Sequence, residues 1–198
     1  MRTVYLASGN EHKAQELAEL AAASGLPWQI ESARALGGMP EVVEDTGTFQ
    51  GNAGKKARAL RALAPAGTGV LADDSGLCVA ALGGGPGVES AYYAGPQGDP
   101  AANRLKLLAA LAAVPEGRRE AYFFCLLFLL EADGTERIFT GRCDGRIIGE
   151  MKGTGGFGYD PLFIPTGESR TLAEMSAAEK NALSHRARAW KALVDNRR

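Results

Sequence analysis

Cysteine and histidine are scarce in this 198-residue chain: Cys78, Cys125 and Cys143, with only His12 and His185. An odd cysteine count without CxxC spacing supports neither a disulfide framework nor a structural zinc site. Two histidines are too few for a histidine-rich centre, so any metal must be held by oxygen, which favours magnesium or manganese. A charge excess is also missing. Lys plus Arg is 22 and Asp plus Glu is 23, for a formal net charge of -1. That balance speaks against a nucleic-acid coat or a polybasic membrane binder. It leaves room for a local cluster of donors around a small anion. Long apolar runs are absent too: Ala121 to Leu130, the longest uncharged one, is about half of the ~20 residues a membrane-spanning helix needs. The segment MRTVYLASGN has no signal-peptide core or cleavage site. The expectation is a cytoplasmic protein in a reducing compartment, with neither nucleic acid nor membrane as partner.

What is present is the mix of an ordinary globule, 45% hydrophobic and 23% charged, at a length that suits one domain. Thr3–Ala7 reads as a buried strand, followed by a helix from about Glu11 to Ser24 that Gly25 and Pro27 stop. Trp28–Glu31 is a plausible second strand. From Thr48 a helical pattern runs through Ala53, Ala57, Leu60 and Leu63 to Pro65. Val70–Asp73 and Leu77–Ala80 read as two strand segments broken at Asp74-Ser75-Gly76. Asp99-Pro100 is a cap with a first-turn proline, opening another helix. Two long strands follow, Ala121–Glu131 and Glu136–Ile148, separated by the hairpin signal Asp133-Gly134. Gly153–Pro161 is a glycine-rich loop, Leu162–Ile164 a strand, and Ser176-Ala177-Ala178-Glu179 a capping box opening one closing helix. Helices and strands interleave, which makes the class α/β with a mixed sheet.

Four segments carry chemistry. Ser8-Gly9-Asn10-Glu11-His12-Lys13 stands where a strand hands over to a helix, and free N–H groups at a helix N-terminus suit phosphate. Ala72-Asp73-Asp74-Ser75-Gly76-Leu77 sets two adjacent carboxylates at the end of an apolar strand. Their burial is costly without a partner, and a divalent cation would relieve it. Glu44-Asp45 is a second acidic pair at a strand end, and together the pairs could supply the carboxylates that magnesium takes. Lys152–Pro161 formally contains GxGxxG, but Asp160-Pro161 interrupts where a dinucleotide fold needs a helix. What remains is a flexible-backbone loop whose Phe157 and Tyr159 suit a planar base or a phosphate. A Walker loop fails as well: Gly54-Lys55 would need glycine at Phe49 and Ser or Thr at Lys56. Finally, Lys180, His185 and Arg186 form a donor-rich stretch able to grip an anion or a base edge. The cysteines read as core.

These segments, SxNxxK at 8–13, ADDSGL at 72–77, GTGGFGYDP at 153–161 and AEM…EK…SHR at 173–186, stand in the order of one family. The chain resembles the non-canonical purine nucleoside triphosphate pyrophosphatases, also called inosine triphosphate pyrophosphatases or XTP/dITP diphosphatases, from about residue 3 to residue 190. The resemblance implies an elongated, twisted mixed sheet flanked by helices, a single domain over 1–198 with two lobes and a central substrate cleft, and a homodimer. It also implies Mg²⁺-dependent hydrolysis (Mn²⁺ a possible substitute) of ITP, dITP or XTP to monophosphate and pyrophosphate. Carried over by motif, Ser8, Gly9, Asn10, Glu11, His12, Lys13 and Lys56 would meet the triphosphate. Asp74 would be catalytic base and metal ligand, Glu44 the second ligand, and Ser75 a substrate contact. Phe157, Gly158, Tyr159, Asp160, Lys180, His185 and Arg186 would embrace base and sugar. One departure stands out. The family often reads GxxSARYAG, and Tyr92 replaces that arginine in Gly87–Gly95, an exchange of a planar five-donor cation for a phenol. Two alternatives stay open: a pyrophosphatase for modified pyrimidine or methylated nucleotides, and a non-catalytic nucleotide sensor.

Overall fold

The computed structural model describes residues 2–197, leaving Met1 and Arg198 outside the described residues. A mixed six-stranded sheet with strand order β2-β1-β3-β4-β5-β6 forms the frame. Its strands are β1 Arg2–Ala7, β2 Trp28–Ser32, β3 Gly69–Val79, β4 Glu120–Leu130, β5 Glu136–Ile147 and β6 Phe163–Pro165. The helices are α1 Glu11–Ser24, α2 Phe49–Arg61, α3 Pro100–Ala110, α4 Ala177–Leu183 and α5 His185–Asp195. β1 pairs in parallel with both β2 and β3, whereas β5 and β6 are antiparallel. The α/β class with a mixed sheet is therefore the observed one. No helix among the described residues is long and apolar enough to cross a membrane.

The chain divides into two compact units. The first comprises Met1–Asp74, Cys125–Gly141 and Arg186–Arg198, and the second Ser75–Phe124 and Arg142–His185. In the first, Val4, Leu6, Leu17, Leu71, Leu127 and Leu193 belong to one apolar cluster. In the second, Leu77, Leu107, Phe123, Ile147, Leu162 and Phe163 belong to another. Each core forms because helices present apolar stripes and strands present alternate residues. All three cysteines are buried and outside any disulfide, as expected of core residues.

Helix boundaries follow local chemistry. Asn10 caps α1 with its side chain, and Gly25 ends it in the left-handed region at φ 72°. Thr48 caps α2 and Asp99 caps α3. Two expectations are corrected. β3 is one continuous strand rather than two segments broken at Asp74-Ser75-Gly76. Gly76 is not a turn residue there: a Cβ at that position would stand 2.1 Å from the Gly87 carbonyl oxygen, so glycine is required by close approach. The closing helix is also two helices. Ser176 and Glu179 do form the capping box, but Ser184 is extended (φ -66°, ψ 159°) and separates α4 from α5.

Candidate active site

The first unit holds the phosphate-type residues. At the β1–α1 junction the Asn10 Oδ1 accepts from the Lys13 backbone N–H at 3.2 Å, and the Asn10 N–H donates to Ser8 Oγ at 3.1 Å. Ser8 to Glu11 line a pocket of about 140 Å³ with Ser32 to Arg34. Glu11 is ion-paired with Arg34, so its charge is offset at the pocket edge. His12 is exposed. Lys13, one turn into the helix, reaches Asp73 instead of solvent, its Nζ 2.6 Å from Oδ1.

β3 then separates its two carboxylates. Neighbouring residues of a strand point to opposite faces, and Asp73 and Asp74 meet different partners for that reason. Asp73, 1% exposed, accepts from Lys13 Nζ, from Arg186 Nε at 2.7 Å and from the Cys125 thiol at 3.5 Å. Burial alone would raise its pKa, but the Arg186 guanidinium and the Lys13 ammonium overcome that and hold it well below the usual carboxylate range. The expectation that the adjacent pair needs a shared cation is thus corrected: Asp73 is already balanced by side chains of the chain itself.

Asp74 is different. Lys56, 9% exposed on α2, donates to Asp74 Oδ1 at 2.7 Å and to Glu44 Oε2 at 2.9 Å. Glu44 and Asp74 are thereby brought onto one ammonium, from residues that the sequence places thirty positions apart. The other Asp74 oxygen, Oδ2, is buried with no hydrogen-bond partner. Burial outweighs the pull of Lys56 and pushes the Asp74 carboxyl up to about 6. Asp45 pairs with Lys55 at the surface and is exposed. Among the described residues no three His, Cys, Asp or Glu side chains cluster as a metal cage. A hard cation between Glu44 and Asp74 fits the orphaned Oδ2. It would take its remaining ligands from water and phosphate, as magnesium commonly does.

The second unit holds the aromatic loop. Asp160, 3% exposed, accepts from Lys180 Nζ at 2.7 Å and from the Phe157 N–H at 2.9 Å. The Lys180 ammonium also lies 4.8 Å from the centre of the Phe157 ring. Gly156 permits this fold of the loop: it sits at φ 66°, and a Cβ there would be 2.1 Å from Asp160 Oδ2. Phe157 and Tyr159 part company. Phe157 is partly exposed. Tyr159 is 4% exposed and donates its hydroxyl to the Ser90 carbonyl at 2.9 Å, so its ring belongs to the core and not to a face offered to a base. His185 is likewise buried, stacked on Phe123 at 4.9 Å. Ser75 is partly buried on β3.

Arg186 is placed otherwise than its motif suggested. Its guanidinium is 1% exposed and donates to Asp73 and to Glu16. To read a base edge it would have to exchange one of those carboxylates. The sequence reading missed Glu16, whose only signal is its position three residues beyond Lys13 on the same helix face. It also missed Asn52, 1% exposed, whose Oδ1 accepts from the Thr46 hydroxyl at 2.7 Å and secures the turn after Glu44-Asp45. A polar residue four before Lys56 on an otherwise apolar stripe was the available clue.

A model of the Ham1 family matches residues 4–196. A dITP/XTP pyrophosphatase of Opitutus terrae is 61% identical over 196 residues, covering 97% of each chain. One of Streptomyces coelicolor is 46% identical over 194 residues, covering 98% of this chain and 96% of the other. Among solved structures, a HAM1 protein from Coxiella burnetii superposes with a TM-score of 0.86 at 37% identity, covering 99% and 98% of the two chains. The Staphylococcus aureus Ham1 protein gives 0.83 at 33% identity, covering 98% and 97%.

Proposed function

The chain belongs to the Ham1 family, and on that basis we propose that it hydrolyses dITP, XTP and ITP to the nucleoside monophosphate and pyrophosphate, clearing deaminated purines from the nucleotide pool. The observation that carries the chemistry is the buried Asp74 Oδ2 with no hydrogen-bond partner, on a carboxylate that Lys56 joins to Glu44. The reading includes magnesium as the metal, a homodimer and a cytoplasmic setting.

In this reading Glu44 and Asp74 would hold the Mg²⁺, which would supply positive charge to the phosphate oxygens. Lys13, Lys56 and the Gly9 N–H face the rest of the polyanion, the Ser8 and Asn10 N–H groups being taken by the Leu6 carbonyl and by Ser8 Oγ. Asp74 takes the proton from the water that attacks the α-phosphorus. Burial raises that carboxyl, to about 6 in the metal-free chain, which makes it the more basic of the two adjacent acids. Asp73 does not compete for the proton, being held as a carboxylate by Arg186 and Lys13. Charge neutralisation and positioning supply most of the remaining acceleration, as in phosphoryl transfer generally.

Base choice rests on donors. Hypoxanthine and xanthine present an O6 acceptor where adenine presents an amino group, and a site built to donate there rejects adenine by leaving donors unpaired. Phe157 offers the partly exposed ring against which the base stacks, with Lys180 and Asp160 bracing it. Pyrophosphate release from dITP, XTP, ITP, dATP, dGTP and dUTP, each with and without Mg²⁺, tests the whole reading. Turnover confined to the first three and dependent on the cation is the expected outcome. Preference for dUTP, or binding without turnover, would favour the other two classes.

A further inference from the structure

The loop from Gly153 to Tyr159 has no regular secondary structure, and three of its glycines, Gly153, Gly156 and Gly158, lie at positive φ. Such a backbone is permissive and does not hold one conformation by itself. It must be tied from outside. One tie has no place in the proposed chemistry so far: Arg104 of α3 donates from its NH1 group to the Gly158 carbonyl at 2.9 Å. That carbonyl belongs to the residue between Phe157 and Tyr159, the ring offered to a base and the ring locked in the core.

The surroundings show why this arginine is not simply part of the packing. Its neighbour Asn103 is 4% exposed and clamps the segment before α3, donating to the Ala91 carbonyl at 2.8 Å and accepting from the Ala94 N–H at 2.6 Å. Tyr159 donates to Ser90 in that same segment. The fold is therefore already secured there by Asn103 and Tyr159. Arg104 is not so economical. Its Nε is buried with no hydrogen-bond partner among the described residues, and a buried donor left unmet opposes folding. A guanidinium at such a position, bonded to the loop at Gly158, is explained by the loop it aims. Tyr92 cannot substitute, since it is 49% exposed and its ring lies against Gly98.

We infer that Arg104 is a positioning residue for the nucleobase: by fixing the Gly158 carbonyl it sets the Phe157–Asp160 loop for the ring of the bound nucleotide. The inference rests on the function proposed above.

The test compares two probes, inosine monophosphate, which carries a base, and pyrophosphate, which does not, titrated calorimetrically into wild type, Arg104→Met and Arg104→Lys. Arg104→Met should weaken the monophosphate and raise KM for dITP by roughly tenfold, the size of one well-placed hydrogen bond. The turnover number and pyrophosphate binding should change little. Arg104→Lys, which keeps a cationic donor for the carbonyl, should recover most of the loss. Equal weakening of both probes, or no weakening of the monophosphate, overturns the inference. Should Arg104→Met fail to fold, Arg104→Gln is read by the same two titrations, and the same pattern is required of it. A wild-type protein that does not turn over dITP sinks the functional reading itself. An active wild type with indistinguishable variants sinks only the role of Arg104.

Discussion

The candidate site residues of the two units hold their polar groups in different ways. In the first, charge meets charge: Lys13, Asp73, Arg186 and Glu16 form one network, and Lys56, Asp74 and Glu44 another. In the second, side chains mostly brace backbone. Arg104 holds a carbonyl, Tyr159 holds a carbonyl, and Asp160 takes an N–H along with the Lys180 ammonium. A site of the first kind suits a ligand whose recognition is electrostatic, such as a polyphosphate. A site of the second kind controls the shape and attitude of a loop, which is what a flat, uncharged ring requires. The comparison teaches that charge number alone is a poor guide: what separates them is whether the counter-charge lies on a side chain or is left to a ligand.

The sharpest way to break the comparison is at Asp74 Oδ2, which is buried without a hydrogen-bond partner. Asp74→Asn should lower kcat by about 10²–10⁴-fold, the usual worth of a positioned proton acceptor, while nucleotide still binds. Near-normal turnover in steady-state kinetics would remove Asp74 from the chemistry. The next largest effect belongs to the second unit. Asp160→Asn removes the counter-charge of the buried Lys180 ammonium, and breaking a buried ion pair from one side typically costs about 3–5 kcal/mol. Chemical denaturation should show the loss, and a midpoint equal to wild type would mean the pair is dispensable.

A smaller effect follows from the contrast between Asp73 and Asp74. Asp73 is held below its ordinary pKa, so its stabilisation is complete above about pH 3.9 and is lost as the pH falls below that. Asp74 is pushed up to about 6, so the folded protein binds a proton that the unfolded chain releases, and stability falls as pH rises from about 3.9 toward 6. Urea unfolding of the metal-free protein across this range should show a descending limb that Asp74→Asn abolishes. A limb that persists in the variant would assign it to another group.

Much of the frame was legible because its punctuation is local. Asn10 and Gly25 bracket α1 by capping chemistry, and Asp99-Pro100 opens α3 in the same way. The misreadings share a cause: Asp-Asp-Ser-Gly has turn composition, yet Gly76 serves close approach to Gly87, which only the tertiary structure reveals. Ser184 carries no breaker signal of the proline or glycine kind, so the division of the last helix was invisible. The motifs located Glu44, Lys56, Asp74, Asp160 and Lys180, but not their pairings. Asp73 and Arg186 meet across 113 positions, and no spacing rule spans such a separation. The motif offers Arg186 to an anion or a base edge, and the structure sets it against Asp73 and Glu16.

The alternation of β3 also limits how this chain can change. Deleting or inserting one residue within the strand ahead of Asp73 would exchange the faces of the two acids. The acid now locked by arginine would be turned toward Lys56, and the reactive one turned toward Arg186. Length variation among descendants of this sequence should accordingly collect in the surface connections, while Gly69–Asp74 keeps a fixed residue count even where its apolar members are exchanged.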